Sequence, residues 1–226
     1  VIGMFLAVPG LPDWRLLIAA TVGIWLLAGA AFAVNCLVER EIDSRMARTA
    51  RRPLAQGEIT VPQTLLFSGL IGGAGMWVLY ALVNPLTMWL TFATFVGYAV
   101  IYTIILKPAT PQNIVIGGAA GAVPPLVGWA AVTGSLAWTP VILFLIVFLW
   151  TPPHYWPLAI QYRDQYARAN VPMLPVVATD QVVARQIVRY SWALVVSSFL
   201  LFGWTGWIYR GSAAISGIWF LFETIR

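Results

Sequence analysis

The chain is organised by the length of its apolar runs. Leu16–Val38 carries no charge over 23 residues, and a bilayer-spanning helix needs about 20 such residues. Val61–Leu106 and Asn113–Ile160 are likewise uncharged and each long enough for two spans. Each also has a turn signal near its middle, "VNP" at Val83–Pro85 and "VTGSLAWTP" at Val132–Pro140. Tyr190–Tyr209 reads as one more span and Gly211–Phe222 as the beginning of another. Val1–Val8 is too short to span and lacks the basic region of a signal peptide, so it reads as the end of a helix. The pattern predicts an all-α membrane bundle with six complete spans and two partial ones, residues 1–226 forming one transmembrane domain.

Composition narrows the class. At 60% hydrophobic and 9% charged residues, with a mean hydropathy of +0.83, a soluble globular domain is excluded. The 12 tryptophans suit the membrane–water interface. Cys36 is the single cysteine, which excludes an internal disulfide and argues against a thiolate metal site. The links after spans two, four and six, counting the partial first one, hold Arg40, Arg45, Arg48, Arg51, Arg52, Lys107, Arg163, Arg168, Arg185 and Arg189, and Arg226 falls on the same side. The opposite links hold only Arg15 and Arg210. This bias predicts a cytoplasmic charged face. The net charge of +5 therefore reports topology in a lipid bilayer and calls for no nucleic-acid partner.

Seven of the eight acids share that face, and topology does not require them. In "NCLVEREIDSRMARTARRPL", Asn35, Glu39 and Asp43 are spaced i, i+4, i+8. If the second span continues through them, they drift about 80° and rise about 12 Å along one helix face. Such a stripe is either a solvated helix end or a hard-cation site. Carboxylate and amide oxygens suit Mg²⁺, which keeps several waters and is commonly shared with substrate phosphates. Arginines just downstream, Arg48 and Arg52 among them, then hold phosphate oxygens.

A second charged link, "QYRDQYARANVPMLPVV", carries Arg163, Asp164, Tyr166 and Arg168 four spans later. Two acid-bearing links four helices apart suggest a duplicated four-helix unit whose sites face each other. That arrangement clamps a diphosphate at the charged mouth while a hydrocarbon tail lies among the helices.

These blocks, with "YTIILKPATPQNIVIGGAAGAVPPLVGWAAVTG" and "PPHYWPLAIQYRDQYARANVPMLPVV", resemble the haem branch of the UbiA-type intramembrane prenyltransferases over essentially the whole chain. The first block is similar to the superfamily's N-x-x-x-D-x-x-x-D motif followed by that branch's D-x-x-M-x-R-T-x-x-R-P-L run. The resemblance implies a nine-span bundle around a central cavity open to the cytoplasm. Against nine spans this sequence lacks the start of the first and all of the ninth, so Val1 and Arg226 are expected to be fragment ends. It further implies transfer of a farnesyl group from farnesyl diphosphate to the 2-vinyl group of haem B, with water addition, in a bacterial inner membrane. Haem O and diphosphate are the products, with haem A synthase or a terminal oxidase as recipient of the haem.

The implied metal ligands are Asn35, Glu39 and Asp43 for one Mg²⁺ and Asp164 for a second, with Asp43, Asp164 and His154 as catalytic groups. Asn35, Arg48, Arg52, Lys107, Asn113, Arg163 and Tyr166 are the implied substrate-binding residues. Three positions depart from the family pattern: Glu39 stands for Asp, Pro108 follows Lys107 in place of Arg, and Gln165 replaces the acid before Tyr166.

Simpler readings stand beside these. His154, the only histidine, is either a hydrogen-bonded structural residue or an iron ligand or proton-handling group inside the cavity. Lys107 is explained equally by positive-inside topology, and Asn113 by helix capping. "GGAAGAVPPLVGW" suits close helix packing or a kink, and secondly a widened cavity. A prenyltransferase of an aromatic or quinone precursor is the nearer alternative function, and a small-molecule transporter the more distant one.

Overall fold

The fold is a helical bundle without strands, given by a computed structural model that describes residues 1–226. In chain order come α1 (Ile2–Leu6), α2 (Trp14–Val38), α3 (Arg40–Arg45), α4 (Pro53–Gln56), α5 (Val61–Leu82) and α6 (Pro85–Val96). A π-helical segment, Gly97–Leu106, joins α6 to α7 (Lys107–Ala109). Then follow α8 (Asn113–Ala122), α9 (Pro124–Thr133), α10 (Trp138–Gln161), α11 (Arg163–Arg168) and α12 (Leu174–Val177). The last are α13 (Asp180–Phe199), extended by a 3₁₀ turn to Gly203, and α14 (Trp207–Ile225). Six continuous helical stretches are long and apolar enough to cross a bilayer: Trp14–Val38, Val61–Leu82, Pro85–Ala109, Asn113–Thr133, Trp138–Gln161 and Asp180–Gly203. The chain is a multi-pass membrane protein.

Local signals set the boundaries. Asp13 caps α2, its Oδ1 accepting from the Arg15 and Leu16 amides at 2.8 and 3.1 Å. Thr60 and Gln63 form a capping box at the start of α5. In the tight "VNP" turn, Asn84 Oδ1 accepts from the Thr87 amide at 2.8 Å, while its Nδ2 donates to the Ala130 carbonyl at 2.9 Å. That one side chain starts α6 and ties the turn to α9. Pro124 and Pro125 begin α9 and break it from α8, as a kink reading of this stretch predicts.

The sixth span departs from its expected limits. It begins at Asp180, ten residues before Tyr190, and ends at Gly203, so Tyr209 belongs to α14, which itself starts at Trp207 rather than Gly211. The early turns of α13 are amphipathic: Val183, Ile187 and Tyr190 pack inward while Arg185 and Arg189 are exposed. A charge-free run misses such a start.

Only 51 of 226 residues are buried, and Trp25, Leu70, Trp77, Trp89, Ile218 and Trp219 lie on the outside, as lipid-facing side chains do. Where helices meet, they do so through small residues. A Cβ on Gly75 of α5 would lie 2.8 Å from the Gly23 carbonyl oxygen of α2, and Ser68 Oγ donates to the Ala30 carbonyl at 3.1 Å. At the charged end, Met46 of the first charged link packs with Tyr166, Ala169 and Met173 of the second. The two links do face each other, joined by apolar contacts.

Candidate active site

The α2 hydrogen-bond ladder runs on past its formal end. The Glu39 amide donates to the Asn35 carbonyl at 2.9 Å, and the Asp43 amide to the Glu39 carbonyl at 2.8 Å. Asn35, Glu39 and Asp43 consequently share one face and are 4%, 5% and 3% exposed, whereas Arg40 and Glu41 are turned outward. A solvated helix end does not bury its carboxylates; this one does.

Each buried acid has a cation. Arg52 Nη1 donates to Asp43 Oδ2 at 2.7 Å, and Lys107 Nζ lies 2.6 Å from Glu39 Oε1. At that distance the Lys107 ammonium is the charge partner of Glu39 Oε1, and both residues line the cavity described next. Burial works against the Arg52 charge, but its bond to Asp43 and the surrounding negative charge together outweigh this and raise its pKa above the ordinary value. The guanidinium also stands 5.4 Å from the centre of the Phe32 ring.

These groups open onto a cavity of about 440 Å³ whose polar wall is Asn35, Glu39, Arg48, Arg52 and Lys107. Tyr98, Tyr102, Trp150, Thr151 and Tyr155 form much of the rest. A second chamber of about 350 Å³ lies beside it, lined by Ile24, Leu27, Phe95, Pro124 and Val127 among others. Phe32, Tyr98 and Gly121 belong to both walls. From Glu39 back to Ile24 is about 22 Å along α2. A polar mouth thus leads into an apolar chamber.

The π segment explains how Lys107 reaches this wall. An i→i−5 ladder takes roughly 4.4 residues per turn. Tyr98 and Lys107, nine residues apart, are then about two turns apart and share a face. In an α-helix at 3.6 residues per turn they would point in opposite directions. Glycine makes room opposite: a Cβ on Gly117 would lie 2.1 Å from the Tyr102 ring.

Sequence comparison now adds the family. The model of the UbiA prenyltransferase family matches residues 1–226. The chain belongs to the UbiA prenyltransferase family. It is 67% identical to the protoheme IX farnesyltransferase of Herminiimonas arsenicoxydans, over all of this chain and 79% of that one. It is 66% identical to the protoheme IX farnesyltransferase of Janthinobacterium sp. (strain Marseille) over the same shares. Its fold matches a UbiA homologue from Archaeoglobus fulgidus bound to DMAPP and Mg²⁺ with a TM-score of 0.78 at 15% identity, covering 99% of this chain and 79% of that one. The apo UbiA homologue from Aeropyrum pernix K1 gives 0.77 at 19% identity, covering 99% and 84%. This UbiA-family chain is a membrane prenyltransferase.

Within this UbiA fold the sequence-predicted residues divide. Asn35, Glu39, Arg48, Arg52 and Lys107 line the mouth, and Asp43 holds Arg52 there. Asn113 does not reach the cavity; fully buried, it donates from Nδ2 to the Lys107 carbonyl at 3.2 Å and so braces the lysine's backbone. It is the first residue of α8 and not its cap, which is Gln112.

Asp164 is exposed and lines no part of the cavity. On α11 the inward face is set by Tyr166 and Ala169, which pack on Met46 and Ile114, and Asp164 lies about 200° around the helix from Tyr166. Gln165 instead carries a buried Oε1 without a partner. Arg163 is drawn away by an ion pair with Asp180. Tyr166 is buried behind the cavity, where burial and the neighbouring Tyr155 push its phenol above the usual tyrosine range.

His154, expected inside the cavity, lies one ring outside it. Its imidazole stacks on Trp150 at 4.1 Å, and only the indole lines the wall. Sequence reasoning overlooked Tyr98, Tyr102, Thr103, Trp150 and Tyr155. The tyrosine pair in "GYAVIYTIILK" was the available signal, hidden by a helical period that is not 3.6.

Proposed function

We propose that the chain transfers the farnesyl group of farnesyl diphosphate to the 2-vinyl group of protoheme IX, taking up one water and releasing diphosphate, so that haem O is formed. The join between polar mouth and apolar chamber carries this reading. It suits a molecule with a doubly charged head and a long hydrocarbon tail, and Phe32, Tyr98 and Gly121 lie at the junction where the two parts of such a molecule meet. The names of the relatives at 67% and 66% identity support protoheme as acceptor.

The donor set fits Mg²⁺. No three His, Cys or acidic side chains converge anywhere, but a cation that keeps its waters and shares substrate phosphates needs few protein oxygens. The Asn35 amide oxygen, to which no protein group donates, and the buried Glu39 carboxylate on the same face are the oxygens that would hold it, with Asp43 one turn on. When bound, Mg²⁺ neutralises charge on the departing diphosphate. Arg48, Arg52 and Lys107 hold diphosphate oxygens and stabilise the same developing charge. The apolar chamber keeps water from the allylic cation until the vinyl group attacks. His154, beside Trp150 at the outer wall, is the group we assign to the haem iron. The mouth faces the cytoplasm of a bacterial inner membrane, on the distribution of Lys and Arg. Haem O then passes to haem A synthase or a terminal oxidase.

The test is direct. Purified protein in detergent, given farnesyl diphosphate, protoheme and Mg²⁺, should yield a porphyrin heavier by one farnesyl group and one hydroxyl, the proton of the added water being released, and free diphosphate without any ion gradient. A prenylated aromatic acid or quinone precursor, with no haem product, would overturn the acceptor assignment.

A further inference from the structure

An amide at a cation site has a right end and a wrong end. Asn35 Nδ2 donates to Thr103 Oγ1 at 3.0 Å, and both residues are buried, at 4% and 5% exposure. Thr103 is itself committed: its hydroxyl donates to the Tyr98 carbonyl at 2.8 Å. A hydroxyl has one proton. With that proton on Tyr98, Thr103 can only accept from Asn35, so the NH₂ end of the amide must face it. The Asn35 oxygen is thereby turned the other way, and no protein group donates to it.

The commitment of Thr103 comes from the π segment. Thr21, Thr91, Thr94 and Thr151 each bond the carbonyl four residues back, as a helical threonine ordinarily does. Thr103 reaches back five. Its hydroxyl spans the widened turn and arrives beside Asn35 of α2 with only its lone pairs to offer. Were the proton free, Thr103 could equally donate to the Asn35 oxygen, presenting the amide's NH₂ end to a cation.

We propose that Thr103 is a positioning residue that fixes the Asn35 amide with its oxygen towards the cation site. The proposal rests on the reading of Asn35 as a Mg²⁺ ligand. It concerns no group that touches substrate; Thr103 acts through Asn35.

The experiment measures metal affinity apart from turnover, by electron paramagnetic resonance of Mn²⁺ titrated into the detergent-purified full chain with farnesyl thiodiphosphate. Thr103→Val removes the hydroxyl at nearly constant volume and should weaken Mn²⁺ about tenfold. Thr103→Ser should stay within about twofold of the parent. In an Asn35→Asp background, where both ends of the side chain are oxygen, Thr103→Val should change Mn²⁺ affinity less than twofold. An equal loss in both backgrounds would mean a general packing role and overturn the proposal, as would an unchanged affinity in Thr103→Val alone. Should Thr103→Val fail to accumulate, Thr103→Ala carries the same expectations. Asn35→Ala separates the two layers. If it leaves Mn²⁺ affinity intact, the ligand reading itself fails; if it weakens Mn²⁺ while Thr103→Val does not, only the positioning role fails.

Discussion

Lys107 Nζ lies 2.6 Å from Glu39 Oε1, with the two side chains 15% and 7% exposed. They come from different helical stretches, and both line the mouth of the cavity. Removing one partner of a buried pair costs about 3–5 kcal/mol because the other charge is left uncompensated. Lys107→Met should therefore lower the melting temperature in chelator, with added Mg²⁺ recovering part of the loss. Farnesyl transfer should fall at least tenfold. Equal melting of variant and parent in chelator would show that the pair contributes nothing at rest.

Asp43 makes a different prediction, because it both belongs to the oxygen stripe and holds Arg52. Asp43→Asn should reduce turnover below a tenth of the parent's at saturating Mg²⁺ while the protein still inserts and accumulates. Measured turnover above that level would remove Asp43 from the site.

Gly117 tests the shape of the wall. A methyl group there meets the Tyr102 ring at 2.1 Å, so the ring must move into the cavity or α8 must move away. Overpacking of this kind costs about 1–3 kcal/mol. Gly117→Ala should raise the KM for farnesyl diphosphate several-fold, whereas Gly73→Ala, exposed on α5 with nothing within 4 Å and in neither cavity wall, should be mild. Steady-state kinetics of the two variants side by side provides the check.

His154 and Trp150 separate the acceptor from the donor. Because His154 reaches the cavity only through Trp150, His154→Ala should lower formation of the farnesylated haem strongly and shift the Soret band of added haem. Mg²⁺-dependent binding of a farnesyl diphosphate analogue should change little. Loss of analogue binding along with activity would place His154 in support of the fold instead.

Topology is checked by labelling. In a Cys36→Ala background, cysteines at Gln56 and Asp164 should react only from the cytoplasmic side, and one at Ser135 only from the outside. Reaction of Gln56 and Ser135 positions from one side would overturn the orientation.

The bundle was legible because length and hydropathy decide it: five of the six spans follow charge-free runs, and the sixth was displaced only because Arg185 and Arg189 ride on its exposed face. The Asn35–Glu39–Asp43 stripe was legible for the same reason, as a spacing on a single helix. What was not legible depends on direction between elements. Asp164 and Gln165 are neighbours in sequence, yet packing of Tyr166 on Met46 turns one out and the other in. Lys107 reaches the cavity through a helical period that no α-pattern anticipates.

The two chambers share only Phe32, Tyr98 and Gly121. Every other residue lining the polar mouth is distinct from every other residue lining the apolar chamber. A substitution at Ile24 therefore alters the lining of the apolar chamber while Glu39, about 22 Å away along α2, keeps its partner. A molecule divided in this way is evolvable by halves. Its descendants can trade one isoprenoid length for another without relearning how to break the bond.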